Sequence, residues 1–259
     1  MNKMLNRVPE VTLYFWIIKI MATTVGETGA DFLAFTMNFG LAATSYIMSA
    51  LLAVVLWNQF RLKRYVPVSY WAVVVLVSIV GTLITDRLVD EMGVSLVTAT
   101  IVFSVALLGL FAWWYVSEGT LAMHSIKTTK RELFYWAAIL LTFALGTAAG
   151  DLLAEGTGLG YAISALLFGS VIAIIAIAKL AEGIAYYRFN LNGVLTFWLA
   201  YVLTRPLGAS IGDLLSQPVK NGGLGFGTVG TTIAFTTTIA ILIVYMSIKQ
   251  KPPQLNKLN

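Results

Sequence analysis

One spacing recurs four times along the chain and constrains it more than anything else: a Trp, nine residues, a Gly, four residues, and an Asp. Trp16, Gly26 and Asp31 obey it, as do Trp71, Gly81 and Asp86, then Trp136, Gly146 and Asp151, then Trp198, Gly208 and Asp213. Chance does not repeat a three-residue ruler in this way, so the chain is a tandem repeat with one structural unit per copy. The clearest copy is Gly146-Thr147-Ala148-Ala149-Gly150-Asp151, an apolar stretch that ends on a carboxylate. Each Asp stands where a membrane helix ordinarily avoids one, and the functional question is why.

Composition sets the solvent. Of 259 residues 58% are hydrophobic and 11% charged, with a mean hydropathy of +0.83, far outside the soluble range. The chain reads as an integral membrane protein whose first partner is the lipid bilayer. It has no Cys, which excludes disulfides and thiolate metal sites, and its single His, His124, leaves no imidazole cluster. A zinc or copper site of the usual kind is therefore not expected, and no resident cofactor is. The net charge of +5 is assigned to basic loops that orient the chain in the bilayer rather than to a nucleic-acid partner. No cleaved signal is expected, because Met1 to Glu10 is polar and the long apolar stretch after it contains Lys19.

About twenty apolar residues cross a bilayer as a helix. Eight stretches meet that length: Val11–Ala34, Phe39–Trp57, Val68–Leu88, Gly93–Val116, Leu133–Ala154, Leu159–Leu180, Val194–Leu215 and Gly225–Met246. Backbone groups in lipid must bond internally and no alternating pattern suggests a barrel, so the fold class is all-α. Short turns such as Asp90-Glu91-Met92-Gly93 and Glu155-Gly156-Thr157-Gly158 join odd helices to even ones. Longer connections separate the repeats, which span approximately 8–57, 67–116, 131–180 and 193–247 of a single membrane domain, 1–259. Basic residues gather in those connections and at the termini: Lys3, Arg7, Arg61, Lys63, Arg64, Lys127, Lys130, Arg131, Lys179, Arg188, Lys249, Lys251 and Lys257. The turns offer only Arg87 and Lys220. Eight transmembrane helices in four parallel-oriented tandem hairpins follow, with both termini cytoplasmic and the odd helices inside a pseudo-symmetric ring.

The opening Val8-Pro9-Glu10-Val11-Thr12-Leu13-Tyr14-Phe15-Trp16 and the later Gly26-Glu27-Thr28-Gly29-Ala30-Asp31 resemble a known first repeat. It belongs to a family of bacterial "membrane-anchored" proteins of four tandem two-helix repeats of unknown function. The resemblance covers nearly the whole chain; it implies the topology and a bacterial inner (plasma) membrane, and no established activity. More loosely, Gly150-Asp151 and Gly212-Asp213, with Glu27 nearby, are similar to acidic motifs of manganese/calcium-proton exchangers. The basic and hydroxyl residues that follow the Asp in those motifs are Leu152, Leu153, Leu214 and Leu215 here.

Steps of four back from each Asp keep to one helix face. They run through Glu27, Thr23 and Lys19 in the first repeat, Thr82 and Ser78 in the second, Thr147 and then Phe143 in the third, and Ala209, Arg205 and Tyr201 in the fourth. The other faces are apolar, so these stripes should point at protein or water. Glu27, Asp31, Asp86, Asp151 and Asp213 are the expected cation and proton site, with Lys19, Thr23, Ser78, Thr82, Thr147 and Arg205 in support. Five carboxylates against two cations leave three negative charges, which a low-dielectric site cannot hold without bound cations or protons. Carboxylates, hydroxyls and carbonyls are hard oxygen ligands suited to magnesium, calcium or manganese.

Several of these residues admit a structural reading too. Each Asp could cap the N-terminus of a neighbouring even helix. Lys19 is either an internal counter-ion or a side chain snorkelling to the cytoplasmic interface. Arg205-Pro206, followed by Gly208 and Gly212, marks the seventh helix for a kink or local unwinding, with Arg205 paired to a neighbouring Asp as the structural alternative. The repeat Trp residues, with Trp57, Trp113 and Trp114, read as an interfacial aromatic belt. The repeat Gly residues lie about 140° around the helix from their Asp and read as close-packing positions. Ser164, Gly169, Thr232 and Thr236 place small and hydroxyl groups on even helices, as packing or as site lining.

The expected function is a secondary transporter or exchanger of a small cation, a divalent metal coupled to protons. The alternatives are a non-transporting structural or regulatory membrane protein and a cation channel. An enzyme is not expected: the motif of membrane aspartyl hydrolases needs an earlier Gly where this chain has Ala148 and Ser210.

Overall fold

Every odd helix opens on a recognisable start signal and carries the repeat Asp at or near its end. A computed structural model describes residues 6–184 and 192–249. Among them run α1 (Leu13–Asp31), α2 (Leu41–Arg61), α3 (Pro67–Asp86), α4 (Leu96–Glu118), α5 (Thr129–Asp151), α6 (Tyr161–Ile184), α7 (Gly193–Ser216) and α8 (Gly227–Lys249). Lys3, Arg188, Lys251 and Lys257, and most of the 181–193 connection, lie outside the described residues. Thr12, Thr128 and Asn192 cap α1, α5 and α7 by accepting backbone N–H groups of the first turn. α3 opens on Pro67, whose missing N–H costs nothing in a first turn.

In the first three repeats the α-helix stops on the Asp and the chain continues as a five-residue π turn: Phe32–Thr36, Arg87–Glu91 and Leu152–Gly156. The wider bonds Met37 N–H to Phe32 O, Met92 N–H to Arg87 O and Thr157 N–H to Leu152 O close those turns. Such turns inside helices are frequent at functional sites. α7 has none. It stays α-helical through Pro206 and past Asp213 to Ser216, so the expected local unwinding of the seventh helix is absent and the departure from α geometry lies after the Asp in the other three repeats.

Seven helices, α2 to α8, are long and apolar enough to cross a bilayer, which makes this a multi-pass membrane protein. The sequence predicts eight such stretches, one more than these. α1 falls short because Lys19, Glu27 and its threonines interrupt its apolar run, and all of these are buried against protein instead of lipid.

α1 packs on α3 and α7, and α5 packs on the same two, so the four odd helices close a ring. The even helices lie outside it: α2 against α3, α4 against α5, α6 against α7, and α8 back against α1. Each even helix thus leans chiefly on the odd helix of the following repeat, and α8 completes the circle. Their outward faces, with exposed Val54, Val105, Leu166 and Ile241, suit contact with lipid tails.

The repeat glycines make the inner ring possible. A Cβ built on Gly26 would lie 1.7 Å from Ser78 Oγ, on Gly81 2.5 Å from Phe143 Cβ, on Gly146 2.3 Å from Arg205 Cγ, and on Gly208 1.8 Å from Thr23 Oγ1. Each contacted residue sits three positions before the Gly of its own repeat. One helix–helix contact is therefore used four times around the ring, and only a residue without a side chain fits it.

The opposite end of the ring, where the odd helices begin, is filled with aromatic rings, and here the belt expectation needs correction. Trp71, Trp136 and Trp198 are 0%, 3% and 4% exposed, Trp16 is half-buried, and Trp114 is also buried. Only Trp57 and Trp113 point outward. Fifteen residues turn a helix by about 60° net, so the repeat Trp stays close to the inward face that carries its Asp. Tyr70 and Trp71 meet edge-on at 5.1 Å, Tyr135 and Trp136 at 5.2 Å, and Trp198 and Tyr201 at 5.6 Å. Beside them the fully buried Glu132 accepts from Arg7 at 2.8 Å and from Gln59 at 3.0 Å, tying the N-terminal segment and α2 to α5.

Candidate functional site

At the Asp end of the ring lies a cavity of about 130 Å3. Glu27 and Asp31 reach it from α1, Asp86 from α3, Asp151 from α5 and Asp213 from α7. All five carboxylates singled out in the sequence therefore meet at one place. Glu27, Asp151 and Asp213 each offer an oxygen within 4.8 Å of the other two. Oxygens that share one calcium-sized ion at about 2.3–2.6 Å lie at most about 5 Å apart, so these three can ligate a single hard cation. Asp31 and Asp86 line the same cavity outside that trio.

The capping alternative finds no support in this geometry. Among the described residues none of the four Asp side chains accepts a hydrogen bond from an even helix; Ser95 caps α4, and Gly40 precedes α2 with no side-chain cap. Asp213 is 7% exposed, and its carboxylate has no hydrogen bond or ion pair within the described residues.

Two further acids line the cavity, Asp90 and Glu155, which the sequence pattern places only in turns. They follow Asp86 and Asp151 by four residues, as Phe35 follows Asp31 and Gln217 follows Asp213, and all four positions line the cavity. Carrying the stride of four one step past each Asp would have found them. Glu155 also accepts from the Tyr161 hydroxyl at 2.9 Å.

Arg205 does not line the cavity but is bonded to Glu27, which does. It is fully buried, and its Nη2 donates to Glu27 Oε2 at 2.7 Å, to Thr147 Oγ1 at 2.6 Å and to Thr82 Oγ1, while Nη1 reaches the Thr23 carbonyl at 3.4 Å. One side chain on α7 thus bonds to α1, α3 and α5 together. The expected pairing of Arg205 with an Asp is replaced by pairing with Glu27. The supporting residues divide accordingly: Thr23, Thr82 and Thr147 bind the guanidinium, and Ser78 serves the close contact with Gly26.

Lys19 lies outside the cavity and below Arg205. It is 1% exposed, so it does not snorkel, and its Nζ sits 4.1 Å from the Phe143 ring centre and 4.3 Å from that of Tyr201. Its ammonium has no hydrogen-bond partner among the described residues. Of the even-helix candidates, Ser164 is buried, Thr232 donates to Thr28 at 2.8 Å, and Thr236 is exposed. None of them lines the cavity.

No curated protein and no solved structure matches the chain. The likeness of its acidic motifs to those of exchangers is therefore not shown by any comparison. A family model does match, in four tandem copies that cover most of the length. The chain belongs to the family defined by the Repeat of Unknown Function (DUF347), whose model matches residues 14–65, 69–120, 134–183 and 196–251.

Proposed function

We propose that this protein is a secondary transporter of a small cation, a divalent metal such as manganese, calcium or magnesium exchanged against protons. In this reading the four repeats are hairpins that enter a bacterial inner membrane in the same sense, with both termini cytoplasmic and the acidic cavity toward the outer face. The observation that carries it is the convergence of seven carboxylates on one cavity, with three of them within 4.8 Å of one another. The only cation bonded to the cavity acids among the described residues is Arg205, which neutralises Glu27. Uncompensated acids in a membrane interior require cations or protons, and alternation between the two is the chemistry of an exchanger.

A carrier fits better than a channel, because Arg205 and then the aromatic layer fill the ring below the acids. The acid set also differs from a hydrolytic dyad sharing one proton, since Asp151 and Asp213 stand with Asp31, Asp86 and an ion-paired Glu27. The test is equilibrium manganese binding to purified protein in lipid nanodiscs. Asp151→Asn with Asp213→Asn is expected to weaken binding at least about tenfold, the effect of losing two of three charged ligands. Unchanged binding in the folded variant would remove the cavity from the pathway.

A further inference from the structure

The contact between Arg205 and its acceptors does not suit a guanidinium. Three oxygens, Glu27 Oε2, Thr82 Oγ1 and Thr147 Oγ1, converge on Nη2, a nitrogen that has only two hydrogens. Meanwhile the Arg205 Nε–H, also buried, has no acceptor among the described residues. The threonine hydroxyl protons are directed elsewhere: Thr82 Oγ1 donates to the Ser78 carbonyl at 3.1 Å and Thr147 Oγ1 to the Phe143 carbonyl at 3.2 Å. Both hydroxyls therefore turn lone pairs toward the point that Nη2 occupies. Three helices thus direct oxygen lone pairs at one centre, more acceptors than the two hydrogens of Nη2 can serve, which is the arrangement of an oxygen cradle for a cation.

We propose that this cradle is a second cation position, selective for a monovalent hard cation such as sodium, and that Arg205 is a tethered occupant the ion displaces. The valence follows from the ligands. The cradle has one carboxylate and otherwise neutral oxygens, so an ion of charge +1 neutralises Glu27 as the guanidinium does. Sodium and calcium have nearly the same radius, so distance does not separate them; charge does. The acids of the cavity above serve the more highly charged ion. Pro206, which follows Arg205, leaves the Val202 carbonyl without its helical partner while α7 stays α-helical, so any displacement moves the guanidinium beyond its packed stem and not the helix. The inference deepens the transport reading: the monovalent ion is a coupling ion bound beneath the divalent one, and Arg205 returns to the cradle when it leaves.

The experiment is thermal unfolding of the full chain in nanodiscs, in sodium chloride against choline chloride. Wild type, with Nη2 in place, is expected to respond little. Arg205→Ala is expected to unfold at a lower temperature in choline and to recover by about 2–4 °C or more in sodium, the shift expected for an ion present at roughly ten times its Kd. Adding Glu27→Gln should abolish the recovery, and adding Asp151→Asn with Asp213→Asn should leave it intact. Arg205→Met, which keeps the stem packed beside Gly146, provides the same test should the alanine variant not fold. A folded variant with no sodium response, a response that survives Glu27→Gln, a response to calcium but not sodium, or failure of both variants to fold in either salt would each overturn the proposal. Manganese binding that depends on Asp151 and Asp213 without sodium rescue would sink this inference alone. Sodium rescue without manganese binding would sink only the divalent reading.

Discussion

Gly146 and Arg205 occupy one contact between α5 and α7, and neither tolerates a larger neighbour there. A Cβ on Gly146 would stand 2.3 Å from Arg205 Cγ and 2.5 Å from its Cβ. These are stem atoms that cannot swing aside. Gly146→Ala should therefore destabilise the fold by about 1–3 kcal/mol and misplace the guanidinium. Gly109→Ala, with nothing within 4 Å of the new methyl, should be neutral or stabilising. Thermal unfolding of the two variants checks the pair, and equal melting temperatures would refute the close approach.

The Arg205–Glu27 ion pair is buried and spans α7 and α1 at 2.7 Å. Removing one partner of such a pair leaves an uncompensated charge, so Arg205→Ala and Glu27→Gln should each cost about 3–5 kcal/mol in sodium-free buffer. The double variant should cost less than the sum, with a coupling of about 0.5–3 kcal/mol in a double-mutant cycle. Simple additivity would mean the pair contributes nothing specific.

The Lys19 Nζ has no hydrogen-bond acceptor among the described residues and is enclosed by Phe143 and Tyr201. Met has similar length and no charge to desolvate. Lys19→Met is expected to raise the melting temperature, and Lys19→Asp to lower it sharply. A strong loss of stability in the methionine variant would imply that the ammonium holds a partner the structure does not display.

The inward position of the repeat Trp residues has an optical consequence. In single-Trp variants, lipids brominated on their acyl chains should quench Trp57 and Trp113 strongly, since each is 66% exposed, and Trp71, Trp136 and Trp198 weakly. Equal quenching of both groups would restore the belt.

The inner ring was legible because its signals are spacings. The Asp at each fifth residue after a Gly, and the polar stride behind it, identify one face of each odd helix, and that face meets at the cavity. Asp90 and Glu155 escaped because charged residues beside Gly read as turns, whereas the chain stays helical through them as a π turn and keeps the stride. The Trp residues misled through chemistry: indole suits an interface, yet their spacing from the Asp already placed them near the inward face. The partner of each even helix left no trace. α2 and α4 are apolar nearly all round and bury only narrow stripes such as Leu41, Ser45, Met48 and Leu52, so nothing in them says that they lean on the next repeat instead of their own. The fit of three oxygens around Arg205 Nη2 is likewise invisible in sequence, because it joins residues up to 178 positions apart.

Flux in proteoliposomes tests the central claim most directly, with one fluorescent reporter for manganese and another for internal pH, under an imposed proton gradient. Wild type should move manganese with opposite proton movement, and Asp151→Asn, shown to be folded, should lose both by at least about tenfold. Manganese flux unchanged in Asp151→Asn, or no flux of manganese, calcium or magnesium in folded wild type, would contradict transport through the carboxylate cavity.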